Sequence, residues 1–255
     1  MRSLVFRVLV LSAMVLVRAD GRAARQVTPI TPAPAAALER ASANGVQFEQ
    51  TVAATRRLLR AWLAHADPRT TLLPDRLEAD RSKWVYTPHN SGADLYPYLV
   101  LTAQLTDPDL YEGRMLEMLR NEVRYTSAQA SVPGNLTFAT GQLGPPSLFG
   151  AGEYAKDGLV SVTEYLGRTP WFYRMVDLTV DAMAQAAVST RFGMLPGSDT
   201  ELNGDYLQTL TRLITMTDDA RFLEWARRIG DAYVDEVLPG NFGVPGMQWN
   251  FVAHS

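Results

Sequence analysis

The feature that most constrains this chain is a unit that occurs three times. Each copy is a polar stretch ending in Asp, an apolar segment, a short Thr/Asp/Pro turn and an amphipathic segment. In the first copy Asn90, Ser91, Gly92 and Ala93 lead to Asp94, an apolar run spans Leu95 to Leu101, and Thr106, Asp107 and Pro108 make the turn. The second runs from Asp157 through Leu159, Val160 and Leu166 to Arg168, Thr169 and Pro170. The third runs from Asn203, Gly204 and Asp205 through Leu213 and Ile214 to Thr217, Asp218 and Asp219. One helical hairpin cannot bury its own apolar face, so self-similarity at a spacing of roughly 50 to 60 residues predicts helix pairs that share a core.

The first helix of each pair is apolar on nearly all sides, which places it in an inner layer. The second is striped. Tyr111, Met115, Met118 and Leu119 mark one copy, Trp171, Met175, Leu178 and Ala182 the next, and Phe222, Trp225, Ala226, Ile229 and Tyr233 the last. These steps of three and four, with charged residues between them, predict outer helices with one wet face, and Trp62, Trp171 and Trp225 read as packing residues. Asp107-Pro108 and Thr169-Pro170 set a cap residue before a proline at the first helical position, and Thr217-Asp218 repeats the cap without the proline. A further amphipathic helix from about Val46 to Ala66 is an outer helix without an inner partner, and the loop Asn241 to Ser255 leads towards an inner helix that does not follow. The expected fold is all-α, an (α/α) toroid-like array of inner and outer helices that is incomplete and open, as in a fragment of a longer chain.

The N-terminus has a different character. Arg2 and Arg7 flank the start of an apolar run from Val8 to Val17, and small residues follow at Ala19, Ala23 and Ala24. Residues 1–24 therefore read as a secretory signal peptide, which predicts an exported protein, periplasmic or extracellular, with no stable membrane insertion after cleavage. Residues 25–45 are rich in Pro, Thr and Ala and predict an extended linker, leaving 46–255 as the helical-hairpin domain. The chain has no Cys, which excludes disulfides, thiolate chemistry and Cys-ligated zinc. Only His65, His89 and His254 occur, none at metal-ligand spacing, so no metal and no cofactor is expected. The formal charge of -3 becomes about -6 when Arg2, Arg7 and Arg18 leave with the signal peptide, and nothing suggests nucleic acid as a partner.

Alternating helices, the loop Gly193-Met194-Leu195-Pro196 and the Asp-led inner helices resemble the six-hairpin glycosidase-like superfamily over roughly Val46 to Ser255. The resemblance implies an (α/α) toroid whose inner-helix N-termini converge at one mouth, a carbohydrate substrate, and carboxylates carried by the loops there. Glycoside cleavage needs one carboxyl protonated as acid and another ionised. The catalytic candidates are Glu153, Asp199, Glu201 and Asp94. Trp84, Tyr86 and Trp249 offer flat faces to sugars, with His89, Asn90, Asp157, Asn203, Asp205 and Tyr206 as further substrate contacts. An Asp that recurs ahead of a helix is most simply an N-cap, so Asp94, Asp157 and Asp205 read first as caps and the non-repeating Glu153, Asp199 and Glu201 as the chemistry. Lys156 reads as a salt-bridge partner. The segment from Tyr125 to Gly152 is too long for an ordinary connection and reads as a lid, a binding loop or disorder.

Two other functions compete with a glycoside hydrolase or related polysaccharide-processing enzyme. A non-catalytic helical-repeat scaffold, or a glycan- or protein-binding module, needs the same array and no chemistry. A terpenoid-cyclase-like barrel needs a dry lining, which Thr102, Gln104, Thr163, Glu164, Thr209 and Thr211 oppose.

Overall fold

Good helix formers outweigh the proline-rich composition just ahead of them. Ala35, Ala36, Ala37, Leu38, Glu39 and Arg40 start a helix directly after Pro34, so α1 spans Ala35–Leu63 and residues 35–45 are its opening turns rather than an extended linker. This is seen in a computed structural model that describes residues 34–255; the expected signal peptide, residues 1–24, lies outside them. The chain divides into two units, residues 1–49 and 50–255. The described part of the first unit is the leading portion of α1, which is exposed.

The second unit is mainly helical, and its helices come in the three expected pairs. A π-helical stretch, Pro88–Leu95, runs into α2 (Tyr96–Thr106). Its partner begins with the turn Pro108–Leu110 and a π-helical stretch Tyr111–Met115, and continues as α3 (Leu116–Thr126). In the second pair α4 (Leu148–Glu153), a π-helical stretch Tyr154–Leu159 and α5 (Val160–Leu166) form one rod against α6 (Pro170–Ala184). The third pair is α7 (Thr200–Met216) against α8 (Ala220–Ala232), the latter prolonged by Tyr233–Val237 and Leu238–Gly240. The Asp107 side chain accepts from the Leu110 N–H at 3.3 Å, with Pro108 at the first position as expected. Thr169 stands ahead of Pro170 without a side-chain cap bond. The third turn differs from expectation: Asp219, rather than Thr217 or Asp218, is the cap and accepts from the Arg221 N–H at 3.0 Å.

The long Tyr125 to Gly152 connection is folded rather than a free loop. β2 (Ser127–Gln129) pairs with β3 (Val132–Pro133), while β4 (Leu136–Thr137) lies between β1 (Val85–Tyr86) and β5 (Gln142–Leu143), all antiparallel. A third hairpin, β6 (Val188–Thr190) with β7 (Gly193–Leu195), joins α6 to α7. Ladder hydrogen bonds satisfy backbone groups that a structureless loop would leave to water. Gly193 opens β7 at a φ of 115°, a conformation that only glycine adopts without strain.

The core follows the stripes. Leu99, Met115, Met118, Leu159, Trp171, Met175, Leu178, Leu213, Phe222 and Ile229 are all buried, each such side chain stabilising the fold by about 1.5–3 kcal/mol relative to exposure. Two features inside it were not expected. Glu122 of α3 and Arg174 of α6 form a wholly buried two-pronged ion pair, with bonds of 2.8 Å from Nε and 2.7 Å from Nη2. Arg174 Nη1 also donates to the Ser131 carbonyl at 2.8 Å, and the Thr126 hydroxyl donates to Glu122 at 3.0 Å. Tyr86, Tyr96 and Tyr154 surround the pair, and burial first, then the Glu122 charge, pushes all three phenols up.

The second feature is close backbone approach. A methyl on Gly158 would lie 2.7 Å from the Gly92 carbonyl oxygen, and one on Gly92 would lie 2.7 Å from the Tyr154 ring. The stretches Pro88–Leu95 and Tyr154–Leu159 therefore meet without a side chain between their backbones at this point.

Candidate functional site

The site depends on where the first helices of the three pairs begin. Thr87 precedes the stretch Pro88–Leu95. Ser147 caps α4, its Oγ accepting from the Gly150 N–H at 2.9 Å. Asp199 caps α7, its Oδ1 accepting from the Leu202 N–H at 3.0 Å. Two expectations are thereby reversed. Asp199, expected to act in catalysis, has its carboxylate committed to the N-terminus of α7, and Glu201 beside it faces solvent in the first turn of that helix. Asp94, Asp157 and Asp205, expected to be caps, lie inside the helices, past the first turn of each rod.

Asp157 and Asp205 converge with Glu153 on Lys156, and Asp94 stands close enough to feel the Asp157 and Glu153 charges. The Lys156 ammonium is 2.9 Å from Glu153 Oε1, 2.9 Å from Asp205 Oδ1 and 3.2 Å from Asp157 Oδ2. An ammonium has three protons, so each carboxylate takes one. Burial alone would lower the lysine pKa, but the bonds from Glu153 and Asp205 outweigh it and hold Lys156 above its ordinary value. Its side chain is 19% exposed and that of Asp157 is 45% exposed, so the cluster opens to water on one side.

Asp205 is the closed end of that cluster. It is 3% exposed, and its Oδ2 is buried without a hydrogen-bond partner when the group is ionised. Burial pushes its pKa up, the Lys156 bond pulls it down, and the neighbouring Glu153 carboxyl pushes it up again, to about 7. Two carboxyls can hydrogen-bond only through a proton. A proton on Asp205 Oδ2, donated to Glu153, supplies the missing partner and relieves the like-charge contact together. Gly152 makes room for this arrangement, because a methyl there would sit 3.2 Å from the Asp205 Cβ and 3.4 Å from Oδ2.

Asp94 reaches the cluster from the first pair. Burial raises its pKa first, and the Asp157 and Glu153 charges raise it further while His89 opposes them. The His89 ring packs on Phe149 at 6.3 Å between centroids and a 50° tilt, and Phe149 is 40% exposed. Both Asp94 and His89, with partly buried Asn90, sit on the stretch Pro88–Leu95, and Lys156 and Asp157 sit on Tyr154–Leu159. Both are π-helical, a geometry that recurs at functional sites because the extra residue per turn re-aims side chains.

Five expected substrate contacts are instead structural. Trp84 and Trp249 are buried, their indole N–H groups donating to the Glu78 carbonyl at 2.8 Å and to Glu236 at 3.1 Å. Tyr86 belongs to the core around Glu122. The Tyr206 hydroxyl donates to the Leu148 carbonyl at 2.8 Å, and the Asn203 amide donates to the Gly197 and Asp199 carbonyls at 2.8 Å each. Polar edges that suit a sugar also suit a buried backbone group, and here the backbone holds them. Phe149 was not anticipated, and Lys156 was assigned an ion pair but not the centre of the cluster. Its direct adjacency to Asp157 was the available signal.

Among the described residues no group of three or more His, Cys, Asp or Glu is arranged to hold a metal ion, and no helix is long and apolar enough to cross a membrane. No protein-family model matches the chain, and no curated protein or solved structure matches it.

Proposed function

We propose that this chain is a segment of an (α/α) toroid of the six-hairpin glycosidase-like kind and an exported carbohydrate-active protein that hydrolyses glycosidic bonds. What carries the reading is the Asp205–Glu153 carboxyl pair, which holds a proton near neutral pH beside a water-facing carboxylate. Glu153 is the more exposed member and delivers a proton to the leaving oxygen, drawing on the one stored at Asp205, as the bond from that oxygen to the anomeric carbon breaks. Water attacks the anomeric carbon and gives its proton to Asp94, whose raised pKa suits a base. Lys156 is the positioning residue, and Asp157 and Phe149 face the sugar.

The test is reducing-end release by the purified chain from a panel of polysaccharides and aryl glycosides, together with Glu153→Gln. Turnover that falls by roughly 10² to 10⁴-fold in the variant, with its circular dichroism unchanged, supports the reading. One observation favours the non-catalytic alternative: all three Lys156 protons are already spent on carboxylates of the same fold, as in a structural hub. Glycan binding without turnover of any substrate in the panel would select that scaffold or glycan-binding module instead.

A further inference from the structure

A pocket of about 270 Å³ opens between the segment that follows α1 and the loop that follows β4. It shares no residue with the Lys156 cluster. Ala66, Pro68 and Ala139 form its walls, and the buried Trp84 and Phe138 close its inner side. Arg69 and Arg81 supply its cationic groups and Asp67 its carboxylate. A concave, mostly apolar surface with a few converging polar groups is the common form of a small-molecule site.

Both guanidinium groups are held in place by contacts that leave donors unspent. Arg69 Nη2 donates to the Phe138 carbonyl and Arg69 Nε lies 4.0 Å from Asp67 Oδ1, while Nη1 has no acceptor among the described residues. Arg81 lies over Trp84, its guanidinium carbon 4.8 Å from the ring centroid, and among the described residues that guanidinium has no carboxylate or hydrogen-bond partner. The adjacent Asp80 carboxylate accepts from the Ser82 N–H and hydroxyl instead, at 3.0 and 2.7 Å. Trp84 is itself fixed: its indole N–H donates to the Glu78 carbonyl at 2.8 Å, its own carbonyl accepts from the Phe138 N–H at 3.0 Å, and the His65 ring packs edge-on with 5.8 Å between centroids. A free surface arginine loses rotamer freedom when it grips an anion, and these two have lost much of it in advance. Asp67 turns Oδ2 to the Thr70 N–H and hydroxyl, at 2.9 and 2.8 Å. Two arginines and one aspartate leave a single net positive charge, which matches a carboxylate, whereas a doubly charged phosphate would face Asp67 as well. We propose that this pocket is a second ligand site, for a small organic carboxylate whose oxygens meet Arg69 and Arg81 and whose apolar body lies against Pro68 and Phe138.

Calorimetric titration of the purified chain at neutral pH and low salt tests it with three probes: benzoate, its neutral isostere benzamide, and inorganic sulfate. Benzoate is expected to bind at least about tenfold more tightly than either other. Arg81→Gln and Arg69→Gln are each expected to weaken benzoate binding by about tenfold or more. Arg57→Gln, the same change of charge at an exposed position on α1, is expected to leave it unaffected. Arg69→Gln also removes the tie to the Phe138 carbonyl, so if its circular dichroism changes, Arg81→Gln, whose guanidinium only rests on Trp84, decides alone. Sulfate bound as tightly as benzoate would mark a diffuse basic surface and overturn the inference. Benzamide bound as tightly as benzoate would do the same by removing the arginines from recognition. Absence of benzoate binding, or binding that survives Arg81→Gln unchanged, overturns it too. Glycoside turnover plays no part in any of these outcomes.

Discussion

Two charged groups sit in the same helical unit and solve the problem of burying charge in opposite ways. Glu122 and Arg174 are sealed among tyrosines, with a two-pronged bond and added partners at Ser131 and Thr126. Lys156 and its carboxylates lie where Asp157 still meets water, and Asp205 keeps an oxygen that only a proton can satisfy. The sealed pair ties α3 to α6 across 52 residues of sequence and has no free chemistry. The open cluster has the marks of a working site, namely a displaced pKa, a like-charge contact and an exposed rim. A buried charge is locked when its partners close around it and stays titratable when they stop one short.

The sharpest way to break this contrast is Arg174→Met, which leaves Glu122 buried without its counter-charge. Unfolding by urea is expected to show a loss of about 3–5 kcal/mol, the range for removing one member of a sealed pair. A loss below ~1 kcal/mol would show that the core, not the pair, holds α3 against α6. Lys156→Met is expected to cost less, on the order of 2 kcal/mol at pH 7.5, because Asp157 and Glu153 recover some hydration. That loss should shrink towards pH 5, where protonation relieves the carboxylate repulsion. An unchanged loss at both values would mean that the stem of Lys156, not its charge, stabilises the fold.

Asp205→Asn is the finest probe. Folded Asp205 keeps its proton up to about pH 7, whereas an unfolded Asp loses it near ~3.9. The folded state therefore binds the extra proton between these values, and this contribution to stability is full below the lower one and lost as pH rises through the upper. Relative to the Asn variant, the wild type is expected to lose about 1–2 kcal/mol between pH 4.5 and 7.5, a span reduced from the full linkage value by the coupling to Lys156. Parallel stability curves for the two proteins would remove Asp205 as the proton store.

The contrast also explains what could be read from the residues. The three helix pairs and the proline turns were legible because apolar stripes and caps are local signals. The convergence of Asp94, Asp157 and Asp205 was legible as a recurrence, yet its meaning was reversed. Asn90, Ser91 and Gly92, like Gly150 and Gly152, read as loop residues, which sets the expected start of each helix too late and makes its aspartate look like the cap. In the fold Ser91, Gly92, Gly150 and Gly152 are buried and serve contact between helices: Gly150 approaches Pro88, and Gly152 approaches Asp205. With the cap role given to Asp205, nothing local marks Asp199 as the true cap of α7. Glu122 and Arg174 gave no local cue, since charged residues on a striped helix normally face water. Trp84, Tyr86 and Trp249 show the converse, aromatic residues with polar neighbours that pack inside.

The contact of Gly92 with Gly158 sets a limit on how this site can change. Side chains that separate two helices act as adjustable spacers, and a lineage can move a site by trimming one and enlarging another. Here the spacer has zero length. A methyl on Gly158 would run into the Gly92 carbonyl, which is backbone and cannot be trimmed, whereas one on Gly92 would run into the Tyr154 ring. The side chains on these stretches can change without moving the rods, whereas the distance between the backbones is set by the missing methyl at Gly158.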